Sequence, residues 1–180
     1  MIFFVVLDLT RNQFNMKNLI TSLLCLFLTT VSFANDTETE FEKLKSLEGK
    51  WMGMLERTDG TSDFLNVEYS ITSNGSALLE ESNTGGIEML SIFNAQNNQV
   101  LVTHYCGLQN KPVAVLKSEQ NGTFYFTTDQ DMSGLDSSKE AFVGYWKLAL
   151  VDSETLQYEY NVIGPKGEVF TAKAELKRVG

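Results

Sequence analysis

The only histidine of this 180-residue sequence, His104, stands two positions before a cysteine, Cys106, in the stretch LVTHYCGLQNKP. Four chemistries can be asked of that spacing. A nucleophilic Cys–His pair needs hydrogen-bond reach of about 3 Å. Residues at i and i+2 of a strand share a face but lie about 7 Å apart, and no third group is placed to orient the base. Zinc takes three or four ligands, with Cys and His preferred. Two are present, and Glu88 falls on the opposite face when Asn94 is paired with Gln99. Haem needs only one proximal histidine, and Met89 and Phe93 would suit its wall. The strand context favours the fourth reading, a hydrogen-bonded wall histidine beside a free cysteine packed as a small hydrophobe.

The elements that hold this pair must come from the chain around it. That pairing sets Met89 opposite His104, with Ser91, Phe93, Val100, Val102 and Cys106 on one face. Both faces are apolar enough that periodicity alone leaves the inward one open. A one-residue slip would change the partners but leave His104 and Cys106 together.

From Met16 the chain reads MKNLITSLLCLFLTTVSFA, with a lysine, an apolar run and Ser32-Phe33-Ala34. This is the pattern of an export signal cut after Ala34, too short for a membrane span of about 20 residues. Residues 1–15 then read as an upstream extension, 16–34 as the signal and 35–180 as one domain. Cys25 follows Leu24, where lipid attachment wants a small residue, so a lipoprotein is not expected. Removing residues 1–34, which carry Asp8, Arg11 and Lys17, takes the net charge from −9 to −10. So acidic a chain offers no handle for nucleic acid or anionic lipid. With Cys106 alone after processing, no internal disulfide can form. The expected location is periplasmic or extracellular.

DTETEFEKLKSLE, residues 36–48, predicts one helix, with Thr37 and Glu40 at capping-box spacing and Phe41, Leu44 and Leu47 as its apolar stripe. Strand patterns follow to the end. Leu65, Val67, Tyr69 and Ile71 alternate against polar neighbours, as do Leu156, Tyr158, Tyr160 and Val162, then Phe170, Ala172, Ala174 and Leu176. Asp59-Gly60, Asn74-Gly75, Gly85-Gly86, Asn121-Gly122 and Lys166-Gly167 mark turns. The two Asn-Gly pairs also spell glycosylation acceptors, a role secondary to their turn chemistry. Residues 129–140, DQDMSGLDSSKE, form the one polar stretch long enough for a flexible loop. The expected fold is all-β: an antiparallel up-and-down barrel of about ten strands with one short N-terminal helix.

Gly49-Lys50-Trp51 after a short helix resembles the G-x-W opening of lipocalin-type (calycin) barrels. That resemblance implies a late arginine, here Arg178, packed across Trp51. Gly75-Ser76-Ala77, Glu88-Met89, Thr103-His104-Tyr105-Cys106, Asn110 and Pro112 resemble, more narrowly, exported lipocalin-like proteins with a T-H-Y-C…N-x-P signature and no assigned role. Those proteins often carry a second histidine cluster where this chain reads AFVGYWKL, so half of any shared site is missing here.

No G-x-S-x-G, H-E-x-x-H or phosphate-binding loop occurs, and Glu80 and Glu81 point to opposite faces. No catalytic constellation is recognisable. The working expectation is a small, largely apolar ligand held among inward residues Tyr69, Met89, His104, Cys106, Phe126, Phe142, Trp146, Tyr158 and Tyr160. The rival is a solid barrel serving as an interaction module. A cavity of roughly 300 Å³ or more would favour the ligand. No metal is expected, and haem stays the one cofactor alternative through His104.

Overall fold

The computed structural model describes residues 36–180; the expected extension and export signal lie outside the described residues. Alternation and turn chemistry give ten strands: β1 (Gly49–Arg57), β2 (Ser62–Thr72), β3 (Ala77–Thr84), β4 (Ile87–Gln96), β5 (Gln99–Tyr105), β6 (Val113–Gln120), β7 (Thr123–Thr128), β8 (Phe142–Asp152), β9 (Thr155–Gly164) and β10 (Gly167–Val179). Each pairs antiparallel with the next, and β10 pairs with β1, so the sheet closes into a barrel. Closure leaves no free sheet edge. The expected all-β, antiparallel, ten-stranded barrel with a short N-terminal helix is the fold observed.

Several hairpins turn on two residues with positive φ, as the right-handed twist of the strands requires. Gly85-Gly86 and Asn121-Gly122 behave as their sequence predicts. Asn97-Asn98, at φ 53° and 58°, does so without a glycine.

Helix α1 (Asp36–Leu44) runs into a 3-10 turn (Lys45–Leu47). It is already helical at Asp36, so Thr37 lies inside it rather than at the expected cap. Its stripe of Phe41, Leu44 and Leu47 is buried in the barrel core, closing the end of the barrel where β4 gives way to β5. The Trp51 indole donates to the Leu47 carbonyl at 2.8 Å, and the Arg178 guanidinium lies 4.1 Å from the Trp51 ring. Arg178 also donates to the carbonyls of Ser46, Glu48 and Ser153. Gly49 sits beneath it at φ 126°, where a Cβ would collide with the guanidinium.

Leu65, Val67 and Tyr69 are buried as the alternation predicts, but Ile71 is exposed because β2 runs past the core there. Residues 129–140 form no open loop. Asp129 caps α2 (Gln130–Ser133) by accepting from the Met132 amide at 3.0 Å, and Gly134 ends it in a left-handed conformation. Ser133 then ties the turn to Val113 of β6.

Candidate functional site

The β4–β5 hairpin sets the site. The tight Asn97-Asn98 turn pairs Gln96 with Gln99, two positions off the expected Asn94–Gln99 pairing. A two-residue turn holds the strands in their natural twist, whereas a four-residue loop would not do so as readily. Ser91, not Met89, therefore stands opposite His104. An even shift preserves faces, so His104 keeps the company of Phe93 and Val102, and burial shows that this face is the inward one, with His104 3 % exposed.

The same register continues across the barrel. Tyr69 of β2 faces Glu80 of β3, Glu80 faces Ser91 of β4, and Ser91 faces His104 of β5. Hydrogen bonds follow this row. The Tyr69 hydroxyl donates to Glu80 Oε2 at 2.6 Å, and Ser91 Oγ donates to Glu80 Oε1 at 2.9 Å. Ser91 Oγ and His104 Nδ1 are 2.9 Å apart. From the opposite wall the Tyr158 hydroxyl reaches Glu80 Oε1 at 3.3 Å. A buried carboxyl is thus met by three hydroxyls, the condition for tolerating it inside.

Burial dominates the electrostatics. It raises the Glu80 carboxyl above its ordinary value against the three hydroxyl bonds, which favour the carboxylate. It raises both Tyr69 and Tyr158 well above the usual phenol, with the nearby Glu80 charge adding to the effect. His104 is lowered to about 4 by burial, which keeps the imidazole neutral at physiological pH. The Cys106 thiol is raised by burial, so it is a poor nucleophile.

Glu80 was not among the expected site residues. On β3, Leu78, Glu80, Ser82 and Thr84 form one phase and Ala77, Leu79, Glu81 and Asn83 the other, each with apolar and polar members. Only the neighbouring inward Tyr69, whose hydroxyl needs a buried partner, hints at which phase is inside.

The barrel is filled at one end and hollow at the other. Near α1, Phe93 lies between Tyr69 and Phe126, with ring centroids 6.3 Å and 5.6 Å away. Beyond the Glu80 row a cavity of about 180 Å³ opens, lined by Met89, His104, Cys106, Trp146, Tyr158 and Tyr160. These are six of the nine expected lining residues. Tyr69 and Phe126 instead fill the closed half. Phe142 is buried on the outward phase, since its neighbour Val143 lines the cavity and adjacent strand residues face opposite ways. Phe170, Thr84 and Arg57 are among the lining residues outside that expected set. Arg57 is paired with Asp63 at 2.7 Å, and the Thr84 hydroxyl is buried with no partner among the described residues. Exposed Ile87 and Leu108 stand at the rim.

The volume falls below the 300 Å³ typical of drug-sized sites but exceeds the ~150 Å³ that admits benzene. It is far too small for haem, so that alternative does not fit this cavity. Among the described residues no three of His, Cys, Asp and Glu come together to hold a metal ion, and no helix is long and apolar enough to cross a membrane. Cys106 and His104 share the cavity wall, but the imidazole Nδ1 is engaged by Ser91 rather than by the thiol.

No family model matches the chain, and no curated protein matches it by sequence. Among solved structures it is similar to a protein of unknown function of the DUF3598 family from Nostoc punctiforme, with 14% identity and a TM-score of 0.56. That match covers 76% of this chain and 49% of the other, so the chain spans about half the length of that relative. It is also similar to a de novo designed fluorescence-activating β-barrel (10% identity, TM-score 0.40, covering 75% of this chain and 95% of the other). A further match is a designed barrel bound to DFHBI (7% identity, TM-score 0.40, covering 77% and 98%). The likeness to the Nostoc protein is one of fold alone.

Proposed function

We propose that this protein binds one small, largely apolar molecule in the hollow half of its barrel. The observation that carries the reading is the division of the interior: aromatic packing below the Glu80 row, and above it a cavity of about 180 Å³ reaching the surface. A barrel built only as a scaffold gains by filling that space, since each unfilled volume forfeits packing contacts. The size fits one ring with a few substituents, by the scale on which ~150 Å³ holds benzene. We further propose that the barrel is of lipocalin type, on the G-x-W opening and the Arg178–Trp51 stack, and that it acts outside the cytoplasm after removal of residues 16–34.

Methionine methyl groups provide the test. Met52, Met54 and Met132 are exposed, whereas Met89 lines the cavity. Titration with toluene should shift the Met89 methyl resonance in a saturable way and leave the other three in place. No movement of Met89 up to the solubility of toluene would replace the carrier reading with that of a solid interaction module. Native mass spectrometry of protein recovered from cells should then show a retained mass that denaturation releases.

A further inference from the structure

The hydrogen-bond row fixes which ring nitrogen of His104 carries its proton, and this determines what the cavity can recognise. Ser91 has one hydroxyl proton. Glu80 Oε1 takes it, since three hydroxyls aimed at this carboxyl match its ionised, acceptor-only form. Ser91 Oγ can then only accept from His104, so the proton of the neutral imidazole sits on Nδ1. The ring lines the cavity, and Nε2 is its remaining polar atom, a lone-pair acceptor. Trp146 packs edge-on against the ring with centroids 5.3 Å apart, which resists its reorientation.

We infer that the cavity selects a small aromatic molecule carrying a hydrogen-bond donor, such as a phenol or an N–H heterocycle, which donates to His104 Nε2. The inference rests on the proposed binding function and adds the ligand's chemistry. It also separates the roles of the row. Tyr69, Glu80 and Ser91 are positioning residues, whereas His104 supplies the acceptor that the ligand's donor meets. A molecule offering only acceptors, such as an aryl ether, would meet an acceptor at Nε2 and leave that nitrogen unpaired, whatever donor its oxygen found at Thr84 or Arg57.

Two measurements test this on the intact protein. Long-range ¹H–¹⁵N correlation at pH 7 should show Nδ1 protonated and Nε2 bare; protonated Nε2 overturns the inference. Phenol, anisole and toluene are then compared by the Met89 methyl shift. Phenol should bind roughly 3- to 10-fold tighter than anisole, the value of one hydrogen bond. Ser91→Ala, which frees Nδ1 from its fixed role, should bring the two within about twofold. Equal binding of phenol and anisole to the unaltered protein, with toluene also bound, overturns the donor preference and leaves the cavity reading intact. Failure of all three ligands, toluene included, overturns the cavity reading itself. If Ser91→Ala does not fold, the nitrogen spectrum and the ligand ranking of the unaltered protein still decide.

Discussion

Ser91 and His104 face each other across the β4–β5 ladder, and the hydroxyl and imidazole Nδ1 lie 2.9 Å apart. This contact joins a buried carboxyl to the wall of the cavity. It makes one continuous row from Tyr69 to His104, so a change at any member is felt at the others.

His104 should make the protein acid-sensitive. Its pKa falls from the ordinary 6.5 unfolded to about 4 folded, so between those values the unfolded chain binds more protons. Stability from this group is complete above pH 6.5 and is lost as pH falls toward 4, by roughly 3 kcal/mol. Glu80 has the opposite sign: its raised pKa favours the folded state at low pH, and that advantage is lost as pH rises through the folded value. Urea midpoints at pH 7 and pH 4.5 should therefore differ less in His104→Gln than in the unaltered protein. An equal acid loss in both would remove His104 as the cause.

Glu80→Ala should destabilise strongly, by ~3 kcal/mol or more, because Tyr69, Ser91 and Tyr158 all lose their acceptor inside the barrel. Glu80→Gln keeps an oxygen in place and should cost about 1–2 kcal/mol. Denaturant unfolding followed by tryptophan fluorescence measures both. An alanine variant as stable as the glutamine variant would mean that water replaces the carboxyl.

Arg178→Lys should lose most of what Arg178→Ala loses, about 1–3 kcal/mol. A lysine keeps the charge near Trp51 but cannot reach three carbonyls with one planar fork. Thermal unfolding of the two variants gives the comparison. A lysine variant matching the native midpoint would show that charge alone suffices.

Cys106 offers a chemical readout of the cavity. Burial holds its thiol above the ordinary value, so alkylation by iodoacetamide at pH 7 should be slow and accelerate with rising pH. Toluene should slow it further by occupying the same space. Alkylation indifferent to saturating toluene would place the ligand elsewhere.

The barrel was legible in the sequence because alternation and turn pairs are local signals. Leu65–Val67–Tyr69 and Gly85-Gly86 announce themselves within a few residues. The Arg178–Trp51 stack was legible through a resemblance rather than through spacing. The Glu80 row was not legible, because it depends on three consecutive cross-strand registers. The register of β4 against β5 turns on whether Asn97-Asn98 makes a two-residue turn, and asparagines adopt positive φ less readily than glycine. Phe142 was misplaced for a related reason. A bulge between Val143 and Tyr145 breaks the alternation of β8, so the phase set by Trp146 does not extend back to Phe142.

The seam between β1 and β10 bears on how the chain is made. Glu48 and Arg178, bonded in the finished barrel, stand 130 positions apart in the chain. A ribosome therefore delivers the first strand long before its last partner exists. Until β10 emerges the sheet keeps two open edges, each a template for pairing with another chain. Closure is a long-range event of the kind that makes β-barrels fold in milliseconds to seconds rather than microseconds. Losing β10 as a whole would leave β1 and β9 as open edges, and the protein sticky rather than merely shorter.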